Sequence, residues 1–366
     1  MGYFRLINAL LIGYYPIMLS LDKKYLEQIR FGQSELSTLR ALGECQGKQT
    51  LFAKQSPEVL DSLQKVAAVE STESSNRIEG IHVPHKRIED LVLRSTKPKN
   101  RSEQEVAGYR DALSLIHNAT KEIPFSVNVT LQLHQTISRY MSTPGGKWKG
   151  TDNEIIEKQA DGQIRVRFKP VSAFETPKFM DGLIKNYKFA IDQGQADPLV
   201  IIPITILDFL CIHPFSDGNG RTARLITLLL LYHFDYQVGR YISLERLFED
   251  TKEDYYRSLE ESSRGWFKQE HDVMPWINYF WIVLIRAYQE FEERVGTVKS
   301  GRGSKTEQVK QAILRQVASF AISDIEKICP WVSRDMIRLV LRDLRDQGKI
   351  KSRGKGRGAK WIRVLD

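Results

Sequence analysis

The stretch His213-Pro214-Phe215-Ser216-Asp217-Gly218-Asn219-Gly220-Arg221-Thr222-Ala223-Arg224 constrains this chain more than any other. An apolar run, Ile201 to Ile212, stops at the histidine, and a second, Leu225 to Tyr232, resumes after the arginines. The pattern predicts a helix, a tight polar loop and a second helix. Gly218 and Gly220 let the loop turn backbone N–H groups toward one point, where the second helix also directs its positive dipole end. Arg221 and Arg224, three apart, share a face of that helix's first turn and add two guanidinium forks. Together these residues predict a polyphosphate site with His213, Asp217 and Asn219 at its edge.

The rest of the chain reads as mainly α. Helical periodicity is expected over Tyr25 to Ala41, Pro57 to Ile78, Lys86 to Leu93, Glu103 to His117, Val127 to Tyr140, Pro177 to Ile191, Leu199 to Ile212, Gly220 to Phe234, Lys252 to Ser263 and Val273 to Arg294. The exception lies between Asn153 and Lys169. There Ile164, Val166 and Phe168 alternate with Gln163, Arg165 and Arg167, and Ala160-Asp161-Gly162 supplies a turn, so a β-hairpin interrupts the helices. An isolated hairpin exposes an edge, which suggests a use for it.

Charge separates the C-terminus from the remainder. The chain of 366 residues carries a formal +9, but Lys299 to Asp366 holds 17 Lys and Arg against 7 Asp and Glu, leaving the first 298 residues close to neutral. Val295 to Ser304 has linker composition, and three helices follow: Thr306 to Ser319, Ser323 to Ile328 and Arg334 to Gln347, the last capped by Ser333. Two short strands, Lys349 to Lys351 and Lys360 to Val364, flank a glycine and cation tip, which completes a winged helix-turn-helix pattern. Cys45, Cys211 and Cys329 form no C-x-x-C pair, as expected of a reducing, cytoplasmic setting without a thiolate metal site. Asn8 and Pro16 interrupt the apolar Met1 to Leu21, so it reads as a core or docking segment, with Met18 a candidate true start. No membrane partner is expected.

The string from His213 to Arg224 matches H-P-F-x-[DE]-G-N-[GK]-R-x-x-R at every position, and in this the chain resembles the Fic family. The resemblance implies a protein adenylyltransferase that moves AMP from ATP to a Ser, Thr or Tyr hydroxyl of a target protein. His213, neutral at pH 7, takes the proton of the attacking hydroxyl. Asp217 holds Mg²⁺; Asn219 and the Gly218 and Gly220 amides hold phosphate oxygens; Arg221 and Arg224 grip the β- and γ-phosphates. Phe215 packs beneath the loop and Pro214 stiffens the exit from the helix. Lys147-Trp148-Lys149 and the hairpin resemble the family's flap, which lies over the nucleotide with Glu154, Ile155 and Ile156 and pairs with the target's backbone. Family members often carry Arg at the place of Lys149 and apolar residues at those of Asn153 and Glu154. Tyr255 and Tyr256 fall where family tyrosines line the adenosine pocket, and a helical Tyr pair also suits a core. The other histidines, His134 among them, show no ligand spacing and read as structural.

Ser75-Asn76-Arg77-Ile78-Glu79-Gly80 fits [ST]-x-x-x-E-[GN], which resembles the inhibitory helix of self-regulating Fic proteins. Ser75 and Glu79 are then inhibitory residues, with Glu79 competing for Arg224 and displacing the γ-phosphate. In some relatives this glutamate also serves AMP removal, so transfer, removal or both remain open. In the tail, Ser333, Arg334 and Arg338 are placed to meet base edges, and Lys351, Arg353, Lys355 and Arg357 to meet phosphates. Dimerisation or target docking is the alternative use of this module. The expected architecture is an N-terminal helical region (1–100), a Fic catalytic domain (101–296), a linker (297–304) and a winged helix domain (305–366). Expected partners are ATP, a target protein along the hairpin, duplex DNA through 305–366 and a second copy of the chain. The rival reading is a DNA-binding transcriptional regulator whose Fic part senses nucleotide.

Overall fold

The computed structural model describes residues 19–53, 57–158, 164–299, 305–314, 316, 319–330, 332–354 and 359–363. The hairpin turn Ala160-Asp161-Gly162 and the wing residues Lys355 and Arg357 lie outside that set. The chain is mainly helical. Its elements run α1 (Lys23–Leu26), α2 (Gln33–Ala53), α3 (Pro57–Ile78), α4 (His85–Leu93), α5 (Arg101–Ala119), α6 (Val127–Ile137), β1 (Ile155–Lys158), β2 (Ile164–Phe168), α7 (Thr176–Asp192), α8 (Pro198–Ile212) and α9 (Asn219–His233). They continue with α10 (Leu244–Asp250), α11 (Lys252–Ser263), α12 (Met274–Lys299), α13 (Lys305–Leu314), α14 (Ile322–Ile328), α15 (Arg334–Asp346), β3 (Ile350–Arg353) and β4 (Lys360–Arg363).

The elements differ from the sequence expectation at two places, the first with a local cause. The helix expected over Tyr25 to Ala41 is broken, with α1 ending at Leu26 and α2 starting at Gln33. The Glu35 carboxylate reaches back to accept the Gly32 N–H at 3.0 Å, a capping contact that fixes the restart. At the other end of the chain, α12 runs through Lys299 rather than stopping at Arg294.

Two compact units divide the chain. One takes its residues from 1–36, 107–234 and 251–281, the other from 37–106, 235–250 and 282–366. In the first, α8 is the central rod: residues Leu199 to Phe209 are buried on every side, and α7, α9 and α11 pack against it. Pro203 inside this helix has no N–H for the Leu199 carbonyl, and the Trp281 indole donates to that carbonyl instead, at 2.8 Å. Trp276 donates to the Pro203 carbonyl, also at 2.8 Å. Two tryptophans therefore repair and brace the helix that carries the site.

In the second unit α3 packs on α4 and α10, and Arg246 ties Glu70 to Glu290. Its C-terminal part closes a separate apolar core of Val309, Ile313, Phe320, Ile325, Ile337, Val340, Leu341, Leu344 and Ile350. Three helices thus meet an antiparallel ribbon, β3 with β4, and a bridge from Phe320 to Trp361 extends the ribbon by one position.

Candidate active site

The site begins where α8 ends. His213 adopts φ 51° and ψ 60°, the left-handed conformation that stops a helix, and its N–H still bonds the Phe209 carbonyl at 2.9 Å. A non-glycine residue there costs about 1–2 kcal/mol, so the surrounding contacts must hold it. The His213 Nδ1 lies 3.3 Å from the Leu210 carbonyl oxygen. A carbonyl can only accept, so Nδ1 bears the hydrogen and Nε2 carries the lone pair, as a base requires.

Phe215, wholly buried, is the platform under the loop. The His134 ring stacks on it at 3.7 Å with 8° between planes, and Trp148 and Phe209 meet it at 5.3 and 6.4 Å. His134 also bonds outward at both nitrogens. It accepts the Gly146 N–H at Nδ1 (2.9 Å), so Nε2–H donates to the Asp217 carbonyl (3.0 Å). This arrangement needs a neutral ring, and burial holds His134 below the usual imidazole value. Gly146, at φ 81°, makes the close approach feasible, since a Cβ there would stand 2.9 Å from Gln135. His134 is thus a support of the motif loop, a role that its sequence neighbourhood does not reveal because its partners lie 12 and 83 residues away.

Asn219 departs from its expected part. Its side chain accepts the Phe215 N–H at 2.9 Å and donates to the Phe215 carbonyl at 2.8 Å, and the residue is 2 % exposed. It staples the loop internally. Backbone amides open α9 without a side-chain cap, beginning at Gly218 with φ 79°. The first-turn N–H groups of a helix have no intrahelical acceptor, so they and the dipole favour an anion. Arg221 and Arg224 are buried in the same turn.

Asp217 stands at the mouth, its side chain 73 % exposed, with Oδ1 accepting the Gly218 N–H and Oδ2 3.6 Å from Arg221. Among the described residues no three His, Cys, Asp or Glu side chains cluster as a metal site. A single accessible carboxylate beside an anion site suits Mg²⁺, which takes one or two carboxylates and completes its shell with phosphate and water.

The hairpin pairs Ile156 with Val166 and Ile155 with Phe168, with an irregularity between Ile155 and Ile156. Ile156 and Val166, opposite one another, are 57 % and 49 % exposed. Glu154 is exposed and Ile155 half-buried. Strand β2 is anchored on α11 by Arg165 to Glu260 (3.0 Å), and Arg167 lies over the Tyr256 ring at 5.0 Å. Tyr255 points the other way, 3 % exposed within an aromatic cluster containing Trp276 and Tyr279. The tyrosine pair is therefore split: Tyr255 lies in the core, and Tyr256 sits under the hairpin.

In the second unit Ser75 is fully buried near the end of α3, while Glu79 follows the helix in an exposed turn that Gly80 closes at φ 81°. Further on, Ser333 caps α15 through the Met336 N–H. Arg334 and Arg338 are exposed, each in a local ion pair, with Glu326 (3.0 Å) and Asp335 (2.9 Å). Lys351 and Arg353 are exposed on β3.

The Fic/DOC family profile matches residues 124–231. The small chain of ribonucleoside-diphosphate reductase from Ostreid herpesvirus 1 is 32 % identical over 119 residues, covering 30 % of this chain and 18 % of that one. Protein adenylyltransferase fic-1 of Caenorhabditis briggsae is 28 % identical over 108 residues, again 30 % of this chain and 18 % of its own length. The chain thus spans about a fifth of these curated relatives. A Fic family protein from Desulfovibrio desulfuricans G20 shares the fold, with a TM-score of 0.58, 18 % identity and coverage of 92 % of this chain and 98 % of that chain. The family match runs from just before α6 to the last turn of α9, the stretch that builds and supports the His213 loop, and the likeness of fold extends over most of the chain.

Proposed function

We propose that the Fic domain transfers AMP from ATP to a Ser, Thr or Tyr hydroxyl of a target protein. The observation that supports this best is the adjacency, on one loop, of a histidine whose Nδ1 faces a carbonyl and a helix N-terminus flanked by two buried arginines. The target oxygen attacks the α-phosphorus and His213 Nε2 takes its proton. The bond to the bridging oxygen breaks, and pyrophosphate leaves with the electron pair. Arg221, Arg224 and the α9 amides hold the phosphates in line for this displacement. Mg²⁺, held by Asp217, would neutralise charge on the leaving group. The exposed Ile156 and Val166 face of the hairpin supports a docking role for the flap. With the Glu79→Gly protein, ATP labelled on the α-phosphate, Mg²⁺ and a cell lysate, protein-bound label is expected. Label arriving from the γ-phosphate instead, or from neither, rejects AMP transfer.

Autoinhibition is part of the same reading, with Glu79 as the inhibitory group. Glu79→Gly is expected to raise the rate of transfer about tenfold or more, in the range of ordinary coupling energies. Equal rates for the variant and the wild type reject the switch.

A second reading concerns the C-terminal helices and ribbon, taken as a winged helix-turn-helix that binds duplex DNA. It is favoured by the exposed face of α15, where Arg334, Arg338 and Arg342 follow one another at helical spacing beside Lys351 and Arg353. Ion pairs this exposed are weak and exchange readily for phosphate. The full chain is expected to bind a random duplex at 50 mM salt and to lose about 40- to 500-fold in affinity by 200 mM, for some three to five phosphate contacts. Absence of binding at low salt removes this reading and leaves protein docking.

A further inference from the structure

Lys149 is 3 % exposed, a rare position for a lysine without a carboxylate partner. Its Nζ donates to the Ile212 carbonyl at 3.2 Å and to Asn153 Oδ1 at 2.8 Å, and its backbone N–H donates to the Pro214 carbonyl at 2.8 Å. Lys149 thus grips the carbonyls on both sides of His213. Asn153 extends the grip one residue on, donating from Nδ2 to the Phe215 carbonyl at 3.2 Å. Three carbonyls flanking the left-handed histidine, those of Ile212, Pro214 and Phe215, are therefore held from one segment, the root of the hairpin.

The cation also suits the place. Ile212 ends α8, where the last carbonyls lack intrahelical donors and the dipole is negative. Burial is nevertheless costly to the ammonium, which is pushed down to about 8 with only Asp152 acting against it. A buried charge that opposes its own burial is weak evidence for stability and better evidence for a positional role.

We propose that Lys149 and Asn153 are a positioning pair that holds His213 in its left-handed conformation and couples the hairpin root to the base. This rests on the AMP-transfer reading for its catalytic consequence, though not for the structural one. It also gives a use to Asn153, which departs from the apolar pattern of the resemblance: its amide completes the grip that Lys149 begins.

Lys149→Met keeps the stem and the backbone bond to Pro214 while removing Nζ. In the full chain, hydrogen exchange in a peptide spanning Leu210 to Asp217 is expected to quicken about tenfold, with the thermal midpoint unchanged or raised because a buried charge is gone. For AMP transfer, kcat is expected to fall about 10- to 100-fold with KM for ATP unchanged, the mark of a displaced base rather than a lost binding contact. Lys149→Met with Asn153→Leu is expected to be no slower than the slower single variant, within about twofold, since the pair acts as one unit. Unchanged exchange in Lys149→Met, a fall in kcat accompanied by an equal loss of thermal stability, or fully multiplicative losses in the double variant would each overturn the proposal. If neither the wild type nor Glu79→Gly transfers AMP, the transfer reading fails, and the exchange comparison still decides whether the pair holds the loop.

Discussion

His213→Asn is expected to lower AMP transfer by about a thousandfold while leaving ATP affinity within about twofold of wild type. The substitution is chosen from the backbone. His213 sits at φ 51°, where alanine is disfavoured, whereas asparagine tolerates the left-handed region. Asparagine therefore keeps the helix stop and the loop, and removes only the proton acceptor. His213→Ala should be at least as inactive, and any excess loss measures strain. The parts proposed to bind phosphate, Gly218 to Arg224, lie beyond the substituted side chain, so nucleotide binding should survive. A variant that retains more than a tenth of wild-type transfer would mean that His213 is not the base.

Much of this site is legible in the sequence, and what is not follows a physical rule. The predicted helix–loop–helix appears as α8 and α9, because local apolar periodicity and two glycines determine it. The helix Lys252–Ser263 and the hairpin strands fall within a residue or two of their expected bounds for the same reason. Phe215 does pack beneath the loop. The contacts that hold the loop are different in kind. His134 reaches Asp217 across 83 residues, Lys149 reaches Ile212 across 63, and Asn153 reaches Phe215 across 62. No spacing rule brings such pairs together, and each side chain taken alone has an ordinary surface or core reading. Asn219 illustrates the converse. Its place in the motif suggested a phosphate, but the nearest unsatisfied backbone groups were those of Phe215, four residues earlier, and they claimed both ends of its amide. Lys355, Arg357 and the hairpin turn lie outside the described residues and remain expectations.

Helix α8 carries a second polar device five residues before His213, and it leads to the largest expected effect on stability. Asp208 is wholly buried and accepts the Ser20 N–H at 3.0 Å, the Trp266 indole N–H at 2.7 Å and the Ser20 hydroxyl. Ser20 Oγ in turn lies 2.8 Å from His271 Nε2, whose ring stacks on Tyr25 at 4.4 Å. Because the serine hydrogen goes to the carboxylate, His271 donates from Nε2, and its buried Nδ1 has no acceptor for a second proton. Burial accordingly pushes Asp208 up to about 6 and His271 down to about 4. Unfolded, the two would titrate near their ordinary values of about 4 and 6.5. Between pH 4 and 6 the folded pair therefore holds its one proton on Asp208 and the unfolded pair holds it on His271, so the count does not change on folding and their joint contribution is flat. Each single variant should unmask the other group, and with opposite sign. In His271→Gln only Asp208 remains, the folded state binds more protons, and stability relative to wild type should rise as pH falls from 6 to 4, by about 1.4 kcal/mol per unit. In Asp208→Asn only His271 remains, the unfolded state binds more protons, and stability should fall over the range from 6.5 to 4 with a similar slope. Asp208→Asn should also lose about 2–4 kcal/mol at pH 7, since its amide N–H₂ must face a donor that the carboxylate had satisfied. Thermal midpoints of the three proteins at pH 4, 5, 6 and 7 measure both effects, and parallel curves would show that the pair exchanges no proton on folding. The N-terminal residues Ser20 and Leu21 are thereby tied through Asp208 to the helix that delivers His213, which is why a substitution this far from the motif should reach it.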